Sequence, residues 1–280
     1  MGLFSGDNSD WRIGIAFSGG GARCMAHLGV LKALEDADIR PQVMAGTSMG
    51  AIIGALYAKG VSIETMLNEI EKINFVGMLR RLRLRSKTGL MSLDHFRNLL
   101  GKYLSNSDFK ALGIPFYISV ANLNTGKNEI FNSGPLIDLL LASASIPILF
   151  ETVKINDQHY VDGGLFNNLP VNVIRDECDM VIGVHVNEIQ SIHNLKSIGY
   201  TIDRIVSLSV YQNVLQSRQL CDVFIEPKNA RRYPIFAFSK TREIYELGYD
   251  AGCEAVPRII QLMEENPVRR RLNRFFKKRR

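Results

Sequence analysis

The pentapeptide Gly46-Thr47-Ser48-Met49-Gly50 holds a serine between glycines two residues to either side. Glycines there permit the sharp strand-to-helix bend that lifts a serine Oγ clear of a sheet, and a helix starting at Met49 would aim its positive end at the same spot. Such a serine is a candidate nucleophile if a base lies within reach. Taken alone, the pattern also makes an ordinary turn. Upstream, Gly19-Gly20-Gly21 offers three backbone N–H groups with no side chains in the way. That cradle suits an anion, either a phosphate or the oxyanion of an acyl-transfer intermediate. Spacing argues against nucleotides: a dinucleotide fingerprint on Gly19 and Gly21 would need its third glycine at Cys24, and no Gly-Lys-Ser/Thr follows for a P-loop.

A serine nucleophile needs a base, and five histidines are available. His27 shares a helical stripe with Val30, Leu31 and Leu34, the position of a core residue. His185 alternates within an apolar strand, and His95 and His193 stand in polar surroundings without a motif. His159 lies three residues before Asp162-Gly163-Gly164. If His159-Tyr160-Val161-Asp162 is extended, His159 and Asp162 face opposite sides, so only one can meet Ser48. The two glycines free the backbone beside Asp162, which favours the aspartate. Aspartate is a weaker base than imidazole, so the chemistry it suits is hydrolysis of esters rather than amides.

The elements that must position these residues are strands and helices in alternation. Residues 12–17 and 42–47 are short apolar runs that end in glycine turns and lead into helical periodicity. Two such units predict a parallel sheet with ligands at its carboxyl edge. Further strands are expected at 115–123, 180–186 and 221–227, a hairpin over NTGKNEIFN, a helix near 135–145 and a strand pair in TVKINDQHYVDGG. Residues 61–110 read as a polar, mostly helical excursion. An apolar cleft for acyl chains could be lined by LLLASASIPILF and by residues 73–93, although a core segment and a solvated helix face explain these stretches as well.

The chain has 280 residues, 46% of them hydrophobic, and a net charge of +6. Eight basic residues and no acid fall in the last twelve, so residues 1–268 sum to −2. The start has no basic region followed by an apolar run, and the longest apolar stretch, 136–150, contains Asp138 and is too short to span a bilayer. The four cysteines, Cys24, Cys178, Cys221 and Cys253, are scattered without metal-ligand spacing. A cytoplasmic protein with no metal, no organic cofactor and no nucleic-acid partner is expected. Val268, Leu272, Phe275 and Phe276 recur at helical spacing among the basic residues. The tail 268–280 is therefore either a helix lying on the inner face of an anionic membrane or a disordered segment.

Together SGGGARCMAHLGVLKAL, GTSMG, ASIPILF and DGGLFNNLPV resemble the patatin-like phospholipases, serine acyl hydrolases with a Ser–Asp dyad; the likeness covers about residues 12–190. The resemblance implies a three-layer α/β/α fold over residues 1–267 with a mostly parallel central sheet. It implies Ser48 as nucleophile, Asp162 as base and Gly19, Gly20 and Gly21 as oxyanion hole, supported by Arg23, Gly46, Gly50, Gly163 and Gly164. A structural ion pair is the plain alternative for Arg23. One departure is Cys24, where the family usually has glycine, which leads us to expect looser packing of the first helix on the serine turn. The implied activity is cleavage of carboxylic esters of lipids; an esterase or thioesterase for soluble acyl compounds, or a regulatory lipid-binding protein, are the alternatives.

Overall fold

Ile13–Phe17 forms β1 and Val43–Thr47 forms β2, both buried along their whole length, as strands covered on two faces must be. The computed structural model describes residues 11–73, 89–104, 108–189, 191, 194 and 198–265. Each strand runs into a helix, α1 (Met25–Asp36) and α2 (Met49–Ala58), and α3 (Ile63–Glu71) follows. The excursion then adds β3 (Gly89–Met91) and α4 (Asp94–Leu104). Strand β4 (Phe116–Asn122) turns back as β5 (Lys127–Phe131) and leads to α5 (Leu136–Ser143). Three short strands come next, β6 (Ile148–Phe150), β7 (Val153–Ile155) and β8 (Gln158–Asp162). The described chain ends with α6 (Val171–Ile174), β9 (Met180–Val184), α7 (Ile198–Gln219), β10 (Val223–Ile225) and α8 (Thr241–Glu265).

Strands β10, β9, β1, β2 and β4 are parallel neighbours in that order. The expected strands, the hairpin and the strand pair are all present, with β5, β8 and β7 antiparallel at one side of the sheet. Residues Ile118–Asn122 of β4 pair with β5 on one edge, so the other edge must serve two strands in succession. Strand β2 takes it from Phe116 to Ser119 and β8 from Val120 to Asn122. The carboxyl ends of β2 and β8 therefore meet head to head, which is what positions the site.

Side-chain alternation divides the core into two layers. Ile13, Ile15 and Phe17 of β1 face one way with Met44, Ile118 and the buried faces of α1, α2, α5 and α8. Ala16, Val43, Ala45 and Val181 face the other way, against Val171 and Ile174 of α6 and Val214 of α7. Large buried side chains, among them Phe17, Phe116 and Met44, hold these layers, each contributing roughly 1.5–3 kcal/mol by burial. The result is a three-layer α/β/α fold with a mostly parallel central sheet. The pairing of β3 with β6 as a separate two-stranded ribbon was not among the sequence expectations. Among the described residues no helix is long and apolar enough to cross a membrane. The tail 268–280, His193 and residues 74–88 of the expected cleft segment lie outside the described residues.

Candidate active site

Strand β2 ends at Thr47 and α2 begins at Met49, so Ser48 makes the turn alone, at φ 57° and ψ −132°. A non-glycine residue held there is strained by about 1–3 kcal/mol and persists only where its surroundings fix it. They do so from both sides. Ser48 N–H donates to Ser143 Oγ over 2.8 Å, and Ser48 O accepts from Ala51 N–H and Ile52 N–H at the start of α2. Thr47 Oγ1 donates to Asn167 O over 2.8 Å. The flanking glycines are required by close approach: a Cβ on Gly46 would lie 2.7 Å from Ala51 Cα, and one on Gly50 would run into Ser18 O.

Asp162 is the last residue of β8. Its Oδ2 accepts Ser48 Oγ–H over 2.6 Å, and its Oδ1 accepts Gly164 N–H over 2.8 Å. Burial raises the carboxyl from 3.8 to about 6, the bonds from Ser48 and Gly164 offsetting part of the rise. A carboxylate with such a pKa is still ionised at neutral pH and is a better proton acceptor than an exposed aspartate. The alternation along β8 turns His159 away from Ser48: its Nδ1 lies 3.0 Å from Thr152 Oγ1. His27 is buried against Ser18 O at 2.8 Å, and burial lowers its imidazole to about 3. His185 pairs with Glu226 at 2.7 Å.

The glycine loop lies beside the serine turn. Gly19 N–H donates to both the main-chain and side-chain oxygens of Asn168, each at 3.2 Å. Among the described residues, neither Gly20 N–H nor Gly21 N–H donates to a protein acceptor. Gly21 has φ 58°, and a Cβ there would collide with Ile235 O. The buried Arg23 guanidinium braces this loop, with Nε donating to Tyr233 O over 2.7 Å and Nη1 to Asn187 Oδ1 over 2.8 Å. Asn187 Nδ2 in turn donates to Gly19 O over 2.6 Å. Cys24, where looser packing was expected, lies within the hydrophobic core. Its thiol is fully buried, donates to Ser18 O over 3.4 Å, and is pushed well above its ordinary pKa by burial.

Ser48 opens onto a narrow cleft. Its walls are apolar: Phe96, Ala144, Ile146, Phe150, Phe236 and Phe238. Ala144, Ile146 and Phe150 come from the segment expected to line it. Phe96 of α4 and the two phenylalanines after β10 were missed, because a lone aromatic in a helix and the irregular YPIFAF carry no local signal of a shared cavity. Among the described residues no group of three His, Cys, Asp or Glu side chains could hold a metal ion.

Comparison with known proteins places this geometry. Lysophospholipase nte1 of Emericella nidulans is 26% identical over an alignment of 303 residues, covering 96% of this chain and 20% of that protein. Lysophospholipase NTE1 of Phaeosphaeria nodorum is 28% identical over 270 residues, with 86% and 18% covered. The chain thus spans about a fifth of the length of these relatives. In fold it is similar to VipD from Legionella pneumophila, with a TM-score of 0.50 at 12% identity, covering 89% of this chain and 67% of that one. The profile of the patatin-like phospholipases matches residues 15–174, more than half of the chain and the span that carries the glycine loop, Ser48 and Asp162. With sequence, fold and the ends of β2 and β8 in agreement, the chain belongs to the patatin-like phospholipase family.

Proposed function

We propose that the chain hydrolyses carboxylic esters of lipids, with Ser48 as nucleophile and Asp162 as its base. The observation that carries this reading is the 2.6 Å bond from Ser48 Oγ to a buried, pKa-raised carboxylate at an apolar cleft. Ser48 Oγ attacks the ester carbonyl as its proton passes to Asp162 Oδ2. The carbonyl oxygen becomes an oxyanion, taken up by N–H groups of the glycine loop. Gly20 and Gly21 have theirs available, while Gly19 anchors the loop through Asn168. Collapse of this intermediate breaks the bond to the leaving alcohol, which receives the proton from Asp162. Water, deprotonated by the same carboxylate, then releases the acyl group as a carboxylic acid and restores Ser48.

The apolar walls suit an acyl chain, and the relatives' name, lysophospholipase, makes a monoacyl phospholipid the first substrate to test. Attachment of the basic segment 268–280 to an anionic bilayer surface belongs to the same proposal and rests on its sequence. Labelling with a fluorophosphonate and assay on monoacyl phospholipid, diacyl phospholipid and short-chain ester test the reading. Wild-type protein should label and turn over at least the first, and Ser48→Ala should do neither. Labelling that survives in Ser48→Ala would place the nucleophile elsewhere.

A further inference from the structure

The parallel ladder between β2 and β4 includes a bond from Met44 N–H to Pro115 O at 2.9 Å, and in such a ladder the rungs of this kind recur every two residues. Counting on, Gly46 N–H would face Tyr117 O and Ser48 N–H would face Ser119 O. At that last rung a side chain is inserted. Ser48 N–H donates to Ser143 Oγ over 2.8 Å, and Ser143 Oγ–H donates to Ser119 O over 2.7 Å. The hydroxyl satisfies both ladder groups while letting β2 leave the sheet at the residue that must turn.

The same short segment holds the other half of the dyad. Asp162 N–H donates to Ser145 O over 2.9 Å, at the place where β8 meets the end of β2. Ser143-Ala144-Ser145 is thus tied to the backbone of both Ser48 and Asp162, and Ala144 between them lines the cleft.

From these bonds we infer that Ser143 is a positioning residue for catalysis, its inserted hydroxyl fixing the Ser48 backbone so that Oγ points at Asp162. This inference rests on the proposed Ser48–Asp162 dyad. The anchored Ser48 N–H fixes the peptide plane before the residue and the bonds from Ala51 and Ile52 to Ser48 O fix the plane after it, so φ and ψ, and with them the direction of Cα–Cβ, are set. Loss of the hydroxyl leaves a buried N–H without its acceptor and a buried carbonyl without its donor, and the turn relaxes to satisfy them. The nucleophile then moves relative to both base and oxyanion donors. A displacement of this kind lowers the rate of the chemical step and leaves substrate binding in the cleft largely alone.

The test compares Ser143→Ala, Ser143→Thr and Ser143→Cys with wild type on a soluble ester, active sites being counted by fluorophosphonate titration. For Ser143→Ala, kcat per titrated site should fall roughly ten- to hundredfold with KM within about twofold, and the labelling rate should fall in step. Ser143→Thr, which keeps a hydroxyl, should recover most of the loss, and Ser143→Cys, a weaker acceptor, should lie between. Ser217→Ala, which removes another buried hydroxyl bonded to Asn213 O on α7, should lower thermal stability without changing kcat. If Ser143→Ala does not fold, the ranking of wild type, Thr and Cys decides. Unchanged kcat in Ser143→Ala, or equal kcat in the Thr and Cys variants and wild type, would overturn the positioning role while leaving the dyad reading intact. Survival of activity in Ser48→Ala would overturn both.

Discussion

Thr47 and Asp162 lie end to end along one edge of β4, Thr47 opposite Ser119 and Asp162 opposite the next residue, Val120. One strand edge therefore brings together Ser48 and Asp162, which are 114 residues apart in sequence. Strand β2 runs parallel to β4 and β8 antiparallel, so their carboxyl ends converge. Had β8 run the other way, its amino end would have met Ser48 and Asp162 would have pointed out of reach.

The first prediction concerns pH. Under the proposed mechanism Asp162 must be ionised to accept the Ser48 proton, and burial raises its carboxyl to about 6. The value of kcat/KM on a soluble ester should be level at alkaline pH and fall tenfold per unit once pH drops well below about 6. His159→Ala should leave that profile in place. An inflection at the pKa of a free aspartate, or one that moves in His159→Ala, would count against Asp162 as the base.

The same shift has a consequence for stability. A carboxyl whose pKa is higher in the fold than in the unfolded chain contributes stability that is complete below the unfolded value and lost as pH rises through about 6. At pH 8 the ionised Asp162 therefore costs stability, on the order of 3 kcal/mol for the rise from 3.8 to about 6. Asp162→Asn should be inactive and yet more resistant to urea than wild type at pH 8, with the difference disappearing below pH 4. A variant that is less stable by the same amount at every pH would show that the burial of this charge is compensated elsewhere.

Those features that follow from neighbours in sequence were legible before the fold was known. Short apolar runs ending in glycine gave β1 and β2, and the alternation over residues 159–162 put His159 and Asp162 on opposite sides. What could not be read are relationships closed by the sheet. Ser143 and Ser48 are 95 residues apart, and Gly19 and Asn168 are 149 apart. Hydrogen bonds between such distant residues leave no periodicity behind. The short β3 and β6 have too few residues to alternate, and the aromatic walls of the cleft come from α4 and an irregular segment with no motif.

A third prediction addresses the basic tail, where eight cationic side chains fall within twelve residues. Each basic residue near an anionic leaflet contributes about 1 kcal/mol, an attraction that salt weakens. Deleting residues 268–280 should lower sedimentation with anionic vesicles at low salt, and lower hydrolysis of lipid in those vesicles, with a soluble short-chain ester cleaved as before. Equal sedimentation of full-length and truncated protein would remove the tail from membrane attachment.

A last prediction tests whether the cleft receives the acyl chain. Ala144 is a small residue in its wall, surrounded by Ile146, Phe150 and the phenylalanines of the other elements. Ala144→Phe would narrow the cleft beside Ser48. Each methylene kept out of the cleft forfeits about 0.8 kcal/mol, so exclusion of two costs about tenfold in kcat/KM. An acetyl group barely enters the cleft and has little to lose by comparison. Across a series of esters from acetyl to palmitoyl, the variant should lose at least about tenfold on the long chains relative to its own activity on acetyl ester. A uniform loss at every chain length would mean that the larger side chain disturbs the adjoining Ser143 and Ser145 rather than the acyl path. An unchanged ratio with full activity would place the acyl chain outside this cleft.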